Sequence, residues 1–445
     1  MRPVLAAAPP GRLGVAVSGG GDSTALLLLA QAWAREAGRA VAAVTVDHGL
    51  RPESAAEAAS VADLCARLGI DHEVLRWHRP GRGNLQAVAR EGRRALIGEW
   101  AARHGVPAVA LGHTLDDQAE TVLLRLGRGS GVDGLSSMAP ATQADGLVWL
   151  RPLLGVRREA LRAWLRARGI AWAEDPGNED PAYARVRARA ALAALAPLGV
   201  TAEGLAATAA RMLRARQALE AATRALAAQA VTEGAAGDVA LVPGPLAEAP
   251  EEVGLRLLAA VLMWVSGERY RPRADRLAPA YGAVVRSDVG RGLTLHGCVL
   301  RRAGAAIAVR REPGRVSGPV PATARAWDGR WRLAAAGPEP LASLEIGALG
   351  PDGLAALGDG PARGLPREAL LSTPALWREG TLVAAPVATG QGPWRFERIA
   401  PVPPPWPRGR SGWPQVASSC VEVAGGGLML DVDTSGTAGG PSRLE

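Results

Sequence analysis

Lysine is absent from all 445 residues, so each of the 51 basic side chains counted as Lys or Arg is an arginine. This excludes the Walker A phosphate loop, whose lysine reaches the β- and γ-phosphates. It also makes every strong side-chain cation a planar fork suited to phosphate or carboxylate. Phenylalanine occurs once, as Phe396, so the cores must be mostly Leu, Val and Ala; an apolar share of 48% is enough for that. The three cysteines, Cys65, Cys298 and Cys420, lie far apart with no C-x-x-C between them. A zinc knuckle, an iron–sulfur site and a redox pair are therefore not expected. No apolar run approaches the ~18 residues of a membrane span, and no charged-then-apolar leader opens the chain. The expectation is a cytoplasmic protein with no membrane partner, and a disordered Ala/Pro stretch over Met1–Pro10.

The formal charge of +8 is carried by the first two-thirds; residues 321–445 are slightly acidic. An excess this mild fits a nucleic-acid partner or a merely solvated surface about equally. The length calls for two or three domains. Residues 12–127 alternate two patterns. Strand-like runs at Leu13–Val17, Val41–Val46, His72–Trp77 and Pro107–Leu111 are followed by helix-like runs at Ser23–Ala37, Ser54–Leu68, Leu85–His104 and Leu115–Leu126. This predicts an α/β fold with a parallel sheet covered on both faces. Ligands bind such sheets at the carboxyl ends of the strands. The segments after the strands carry the unusual residues: S-G-G-G-D-S-T, D-H-G-L-R and G-H-T-L-D-D-Q-A-E-T.

Further along, Arg157–Arg168 reads as a helix and E-D-P-G-N-E-D-P as a turn cluster. A long Ala-rich helix is expected from Glu203 to Val231, with Leu205, Met212, Leu219 and Leu226 forming one packing stripe. Residues 250–311 look mixed α and β, and residues 320–400 look like a small β-containing domain. The Pro/Gly-rich end suggests a loose tail. The expected division is a first domain over 1–195, a helical linker and second domain over 196–320, a small domain over 321–400 and a flexible tail over 401–445.

In V-A-V-S-G-G-G-D-S-T a strand enters three glycines flanked by hydroxyls, and a helix begins near Asp22. Helix N-termini bind phosphate through unclaimed N–H groups and the dipole. A carboxylate beside polyphosphate needs a cation between them, which points to Mg²⁺ at Asp22; the competing reading makes Asp22 a helix cap. Asp117 and Glu120, at i and i+3 of a predicted helix, face one side and could clamp an ammonium, or could pair with Arg125 or Arg128. Arg185 and Arg189 share a helix face and Arg187 does not. They read as contacts to an RNA backbone or between domains, or as a solvated basic helix.

The loop S-G-G-G-D-S resembles that of the PP-loop ATP pyrophosphatases, which split ATP between the α- and β-phosphates. Four more signatures follow in order: V-D-H-G-L-R-P-E-S at 46–54, G-H-T-L-D-D-Q-A-E-T at 112–121, R-G-S-G-V-D-G-L at 128–135 and E-D-P-G-N-E-D-P-A-Y-A-R-V-R-A-R at 174–189. Together they resemble the tRNA(Ile)-lysidine synthetase family, closely over residues 12–190. Beyond that, R-Y-R-P-R and T-L-H-G-C resemble its second domain more loosely.

The resemblance implies an ATP- and Mg²⁺-dependent ligase. It would adenylate the wobble cytidine of CAU-anticodon tRNA(Ile) and then join free L-lysine to C2. It places Ser18, Gly19, Gly20, Gly21, Asp22, Ser23, Asp47 and His48 at ATP, with Asp22 also holding the metal. Asp117 and Glu120 would bind lysine, and Asp22, Ser23, His113 and Asp117 would carry the catalysis. Arg128, Arg185, Arg187 and Arg189 would contact tRNA. Either a carboxylate or His113 could take the lysine proton. A homodimer is among the expected assemblies. The alternatives are a PP-loop tRNA thiolase and a non-catalytic tRNA-binding protein.

Overall fold

The computed structural model describes residues 1–49, 54–77, 85–144, 146–174, 180–324, 326–335, 337–358, 365–399 and 404–406. Residues 50–53 and 175–179 of the signatures, Cys420, and most of the expected tail lie outside them. The chain divides inside a long helix into two compact units, Met1–Leu213 and Arg214–Pro414.

The first unit contains α1 (Arg2–Ala6), β1 (Leu13–Ala16), α2 (Gly21–Glu36), β2 (Val41–Asp47), α3 (Ser54–Leu68), β3 (Asp71–Arg76), α4 (Leu85–Arg103), β4 (Ala108–Leu111) and α5 (Leu115–Leu126). The short α6 (Val132–Leu135), a hairpin of β5 (Ala141–Ala144) and β6 (Leu147–Leu150), α7 (Arg158–Arg166) and α8 (Ala184–Leu195) follow. The sheet order is β3-β2-β1-β4-β6-β5. Every pairing is parallel except that of β5, which closes the edge antiparallel to β6.

Strand residues alternate between two cores, as the two-residue period of a strand requires. Val41, Ala43, Ala108, Ala110, Val148 and Leu150 face a core built with α2, α3 and α7. Ala42, Val44, Val109, Leu147 and Trp149 face a second core with Ile97 and Trp100 of α4. Both faces are thus covered, and polar side chains can collect only at the strand ends.

One expectation is corrected. Met1–Pro10 is ordered: α1 buries Val4 and Leu5 in the first core, and Arg39 donates to the carbonyls of Ala8, Pro9 and Gly11. Low sequence complexity hid two adjacent apolar side chains.

The second unit begins within α9 (Ala202–Ala230), whose predicted stripe is turned inward: Leu226 is buried and Leu219 packs on the same core. β7 (Val231–Glu233), β8 (Val239–Leu241), α10 (Pro243–Glu248), α11 (Glu251–Ser266), α12 (Ala274–Val285), β9 (Leu293–Leu295), β10 (Cys298–Ala303) and β11 (Ala306–Arg311) follow. Their antiparallel sheet runs β7-β8-β11-β10-β9 against α11 and α12. Short strands over 320–398 make a smaller β module. Asp328, 1% exposed at its side chain, accepts from Arg311 at 2.9 Å and Arg330 at 2.6 Å. Burial drives the Arg330 guanidinium down to about 10. A buried charge must be paired, so this triad fixes the small module to β11.

Candidate active site

The glycine-rich loop joins β1 to α2 at the carboxyl edge of the sheet. Gly19 adopts φ +86°, which only glycine takes without strain. Ser23 Oγ donates to the Gly20 carbonyl at 3.0 Å and accepts from the Ser18 amide at 3.1 Å, and its oxygen lies 3.2 Å from Ser18 Oγ. Gly20 caps α2 without a side-chain hydrogen bond, so the cap residue leaves the first-turn N–H groups unclaimed. The loop is tied down by a parallel bridge to Ala173, whose amide donates to Gly19 O at 2.9 Å.

Beside the loop, three carboxylates meet one guanidinium. Arg158, the first residue of α7, reaches Asp22 Oδ2 at 3.0 Å, Asp117 Oδ1 at 3.2 Å and Glu120 Oε1 at 3.4 Å. From α8, Arg189 reaches Glu120 at 2.7 Å and Arg185 lies 3.6 Å from Asp117. Three carboxylates therefore face three guanidiniums. The expected shared face of Arg185 and Arg189 is present, and both are turned onto α5. Arg187 instead donates to the carbonyls of Pro181 and Ala182.

The α5 end is built for this. Thr114 caps the helix and Asp117 Oδ2 returns a bond from the Thr114 amide at 2.8 Å, a reciprocal capping box. Asp116 points the other way and accepts from the backbone N–H of Arg158 at 2.7 Å, capping α7. Neither carboxylate of the predicted pair meets Arg125, which donates to Gly134 and Ser137 carbonyls. Arg128 is exposed at the far end of α5, about 16 Å along the helix from Asp117 by its rise per residue.

Electrostatics separates the carboxylates. Burial raises the Asp22 carboxyl, only partly offset by Arg158. Burial pushes Asp117 the same way, but Arg158, the Thr114 amide, Arg185 and His113 hold it below its usual range. Burial opposes the charge on Arg158, yet Asp117, Asp22 and Glu120 raise its pKa above the usual value. Asp22 Oδ1 and Glu120 Oε2 are buried with no hydrogen-bond partner among the described residues. These two idle oxygens are where a cation or donor from a ligand would be satisfied. Among the described residues no group of three or more His, Cys, Asp or Glu side chains forms a metal cage. One carboxylate oxygen completed by substrate phosphates is the arrangement Mg²⁺ commonly takes.

Asp47 and His48 follow β2. Asp47 Oδ1 accepts from the Gly49 amide at 2.8 Å and from Ser54 Oγ at 2.7 Å, bonds that lower its carboxyl. His48 Nε2 lies 2.9 Å from Arg93 and the ring stands edge-on to Trp77; burial, then Arg93, lowers it to about 4.

Sequence reasoning missed Arg158. In a chain rich in arginine, the pair R-R at 157–158 carries no distinguishing pattern. Its place at the start of a helix following a sheet strand was the available signal.

A strand–glycine loop–helix unit with hydroxyls and a carboxylate at the edge of a parallel sheet defines a PP-loop nucleotide-binding enzyme, and the PP-loop domain family matches residues 2–196. The tRNA(Ile)-lysidine synthase of Ruegeria pomeroyi is 48% identical over 399 residues, 89% of this chain and 93% of the relative. That of Hyphomonas neptunium is 38% identical over 325 residues, covering 69% and 83%. The chain belongs to the tRNA(Ile)-lysidine synthase family: it is an ATP-using, tRNA-modifying enzyme. Among solved structures, the U34-tRNA thiolase NcsA of Methanococcus maripaludis with its [4Fe-4S] cluster matches at TM-score 0.41 and 16% identity, over 48% of this chain and 74% of that one. No single helix among the described residues is long and apolar enough to cross a membrane.

The β4 end approaches the loop closely. A Cβ on Gly112 would lie 3.1 Å from the Ser23 backbone and 3.2 Å from that of Asp22. Backbone cannot swing aside, so Gly112→Ala is expected to displace the first turn of α2. ATP affinity should fall about tenfold and stability by ~1–3 kcal/mol, read by titration calorimetry and denaturant melts.

Proposed function

We propose that the enzyme uses ATP to join L-lysine to C2 of the wobble cytidine of CAU-anticodon tRNA(Ile), through an adenylated cytidine, with pyrophosphate and then AMP released. The observation that carries this reading is the single guanidinium linking Asp22 of the phosphate loop to the buried pair Asp117 and Glu120. On this reading the ATP end of the site would adjoin a carboxylate pair that an amine could engage by displacing an arginine.

Cytosine O2 is a poor leaving group, and adenylation turns it into a good one. The phosphates of ATP would rest on the α2 N-terminus and the hydroxyls of Ser18 and Ser23, with Asp47 and His48 near the nucleoside. The same reading assigns Gly19, Gly20 and Gly21 to the phosphate cradle. Mg²⁺, held by Asp22 with the phosphates, would supply charge neutralisation. Lysine is a zwitterion with a second ammonium. It can insert into the ion-pair lattice, its ammonium replacing an arginine on Asp117 and Glu120 while its carboxylate takes up a released guanidinium. Asp117, held ionised, is a holder of cations rather than a proton acceptor at neutral pH. His113 and Glu120 remain the candidates for accepting the lysine proton.

Arg185 and Arg189 are guanidiniums, whose planar forks suit phosphate as well as carboxylate. With Arg128 and Arg187 they are assigned to tRNA. The division into a catalytic domain over 1–195, a tRNA-binding domain over 196–320 and a small domain over 321–400 belongs to the same reading, as do a cytoplasmic site of action and a homodimer.

The test is incubation of the purified protein with ATP, Mg²⁺, labelled lysine and CAU-anticodon tRNA(Ile). Lysine incorporation with AMP release is expected; ATP consumption without it would refute the reading. Asp117→Asn, which keeps an acceptor for the Thr114 amide, should lower lysine transfer about 100-fold and leave adenylation of the tRNA intact. Equal loss of both steps would remove Asp117 from lysine binding. A thiolase role is disfavoured by the described cysteines. Cys65 and Cys298 are both buried, and burial raises their thiols to about 11 and about 12, the reverse of an activated sulfur.

A further inference from the structure

The second unit displays an aromatic side chain that its packing does not use. Tyr270 is 71% exposed, whereas Tyr281 of the same unit is buried and bonded to the Leu246 carbonyl. Tyr270 lies in R-Y-R-P-R-A-D-R, where Arg269, Arg271, Arg273 and Arg276 are all exposed and Asp275 is the one acid. Exposed apolar residues scattered singly need no explanation; an exposed tyrosine set among four arginines in eight residues does.

The segment is held at both ends. α11 stops at Gly267, which takes φ +78°; a Cβ there would meet Arg330 and the Asp328 carbonyl at 2.6 and 2.7 Å. Pro272 stiffens the return, and Arg273 occupies the cap position of α12, a 12-residue helix whose positive end adds to the arginine charge. The T-L-H-G-C turn contains His296, at φ +55°.

We infer that Arg269–Arg276 is a contact for unpaired RNA, in which Tyr270 stacks on a base of the substrate tRNA and the neighbouring arginines hold the flanking phosphates. Single-stranded RNA is bound by this combination of an aromatic face and cationic groups. The charge complementarity selects RNA over an apolar protein partner. The inference rests on the tRNA substrate proposed above.

The test measures tRNA(Ile) affinity of the full chain by anisotropy at about 0.15 M salt. Tyr270→Ala is expected to weaken binding about tenfold or more, and Tyr270→Phe and Tyr270→Trp to restore it. Arg271→Gln should weaken it and make the logarithmic salt slope shallower by about one. Melting curves confirm folding, and the exposure of Tyr270 makes its truncation benign. If the wild-type protein binds and modifies the tRNA while Tyr270→Ala binds equally well, this inference falls and the lysidine reading stands. If the wild-type protein binds no tRNA, both fall. Unchanged affinity with altered sedimentation would overturn it in favour of a protein contact.

Discussion

Arg158→Ala is expected to abolish adenylation and lysine transfer together and to cost about 3–5 kcal/mol of stability, the usual penalty for removing one partner of a buried ion pair. The side chain is 20% exposed and, among the described residues, is the one cation paired with all of Asp22, Asp117 and Glu120. Without it, Asp22 and Asp117 repel across the gap, as the mutual influence of their charges indicates. Glu120 keeps Arg189, and Asp117 keeps Arg185, so the unit should still fold. Arg158→Lys returns the charge but a single ammonium cannot reproduce the fork spanning three carboxylates. It should recover most of the stability and little of the activity. Urea melts read the first effect, and pyrophosphate release with labelled lysine transfer reads the second. If either half-reaction survives Arg158→Ala, the two halves of the site are not joined through this residue.

Asp22→Asn is expected to cut adenylation about 100- to 1000-fold while leaving the protein as stable as before, or more so. Burial outweighs Arg158 and raises the folded-state pKa of Asp22 above its unfolded value. A carboxyl raised in this way contributes stability below the unfolded pKa and loses it as pH rises through the folded one. At neutral pH the ionised Asp22 is therefore held at a cost, which the neutral amide removes. Arg158 keeps Asp117 and Glu120 as partners. The same direction predicts that wild-type adenylation begins to fail on acidification at a higher pH than an ordinary aspartate would allow. A clear loss of stability in Asp22→Asn, or retained adenylation, would contradict the role given to this carboxylate.

Much of this architecture could be read from periodicity. The four strand-and-helix pairs of residues 12–127 have ends within two residues of those expected, because each pattern is bounded by glycine, proline or a cap. The phosphate loop and the Asp117–Glu120 face were legible for the same reason: local geometry alone places them. The β5–β6 hairpin was not. Its strands are four residues each, too short to show a period, and tertiary pairing at the β4 edge defines them. The α1 helix was hidden by its Ala/Pro composition. Arg158 was hidden because its partners come from α2 and α5, a proximity that no local pattern encodes.

The capping arrangement has a kinetic consequence. α2, α5 and α7 all begin at the carboxylate cluster, as the contacts of Asp22, Asp116, Asp117 and Arg158 require. The carboxylates of Asp22, Asp117 and Glu120 are balanced by Arg158, Arg185 and Arg189, and the ends of α5 and α7 are met by their aspartate caps, so the field that remains is that of the α2 end, about half a positive charge. An approaching polyanion meets an attractive potential focused at the sheet edge before it touches any side chain. Capture of ATP should therefore be faster than the balanced local charge suggests, and should slow as added salt shortens the reach of that field.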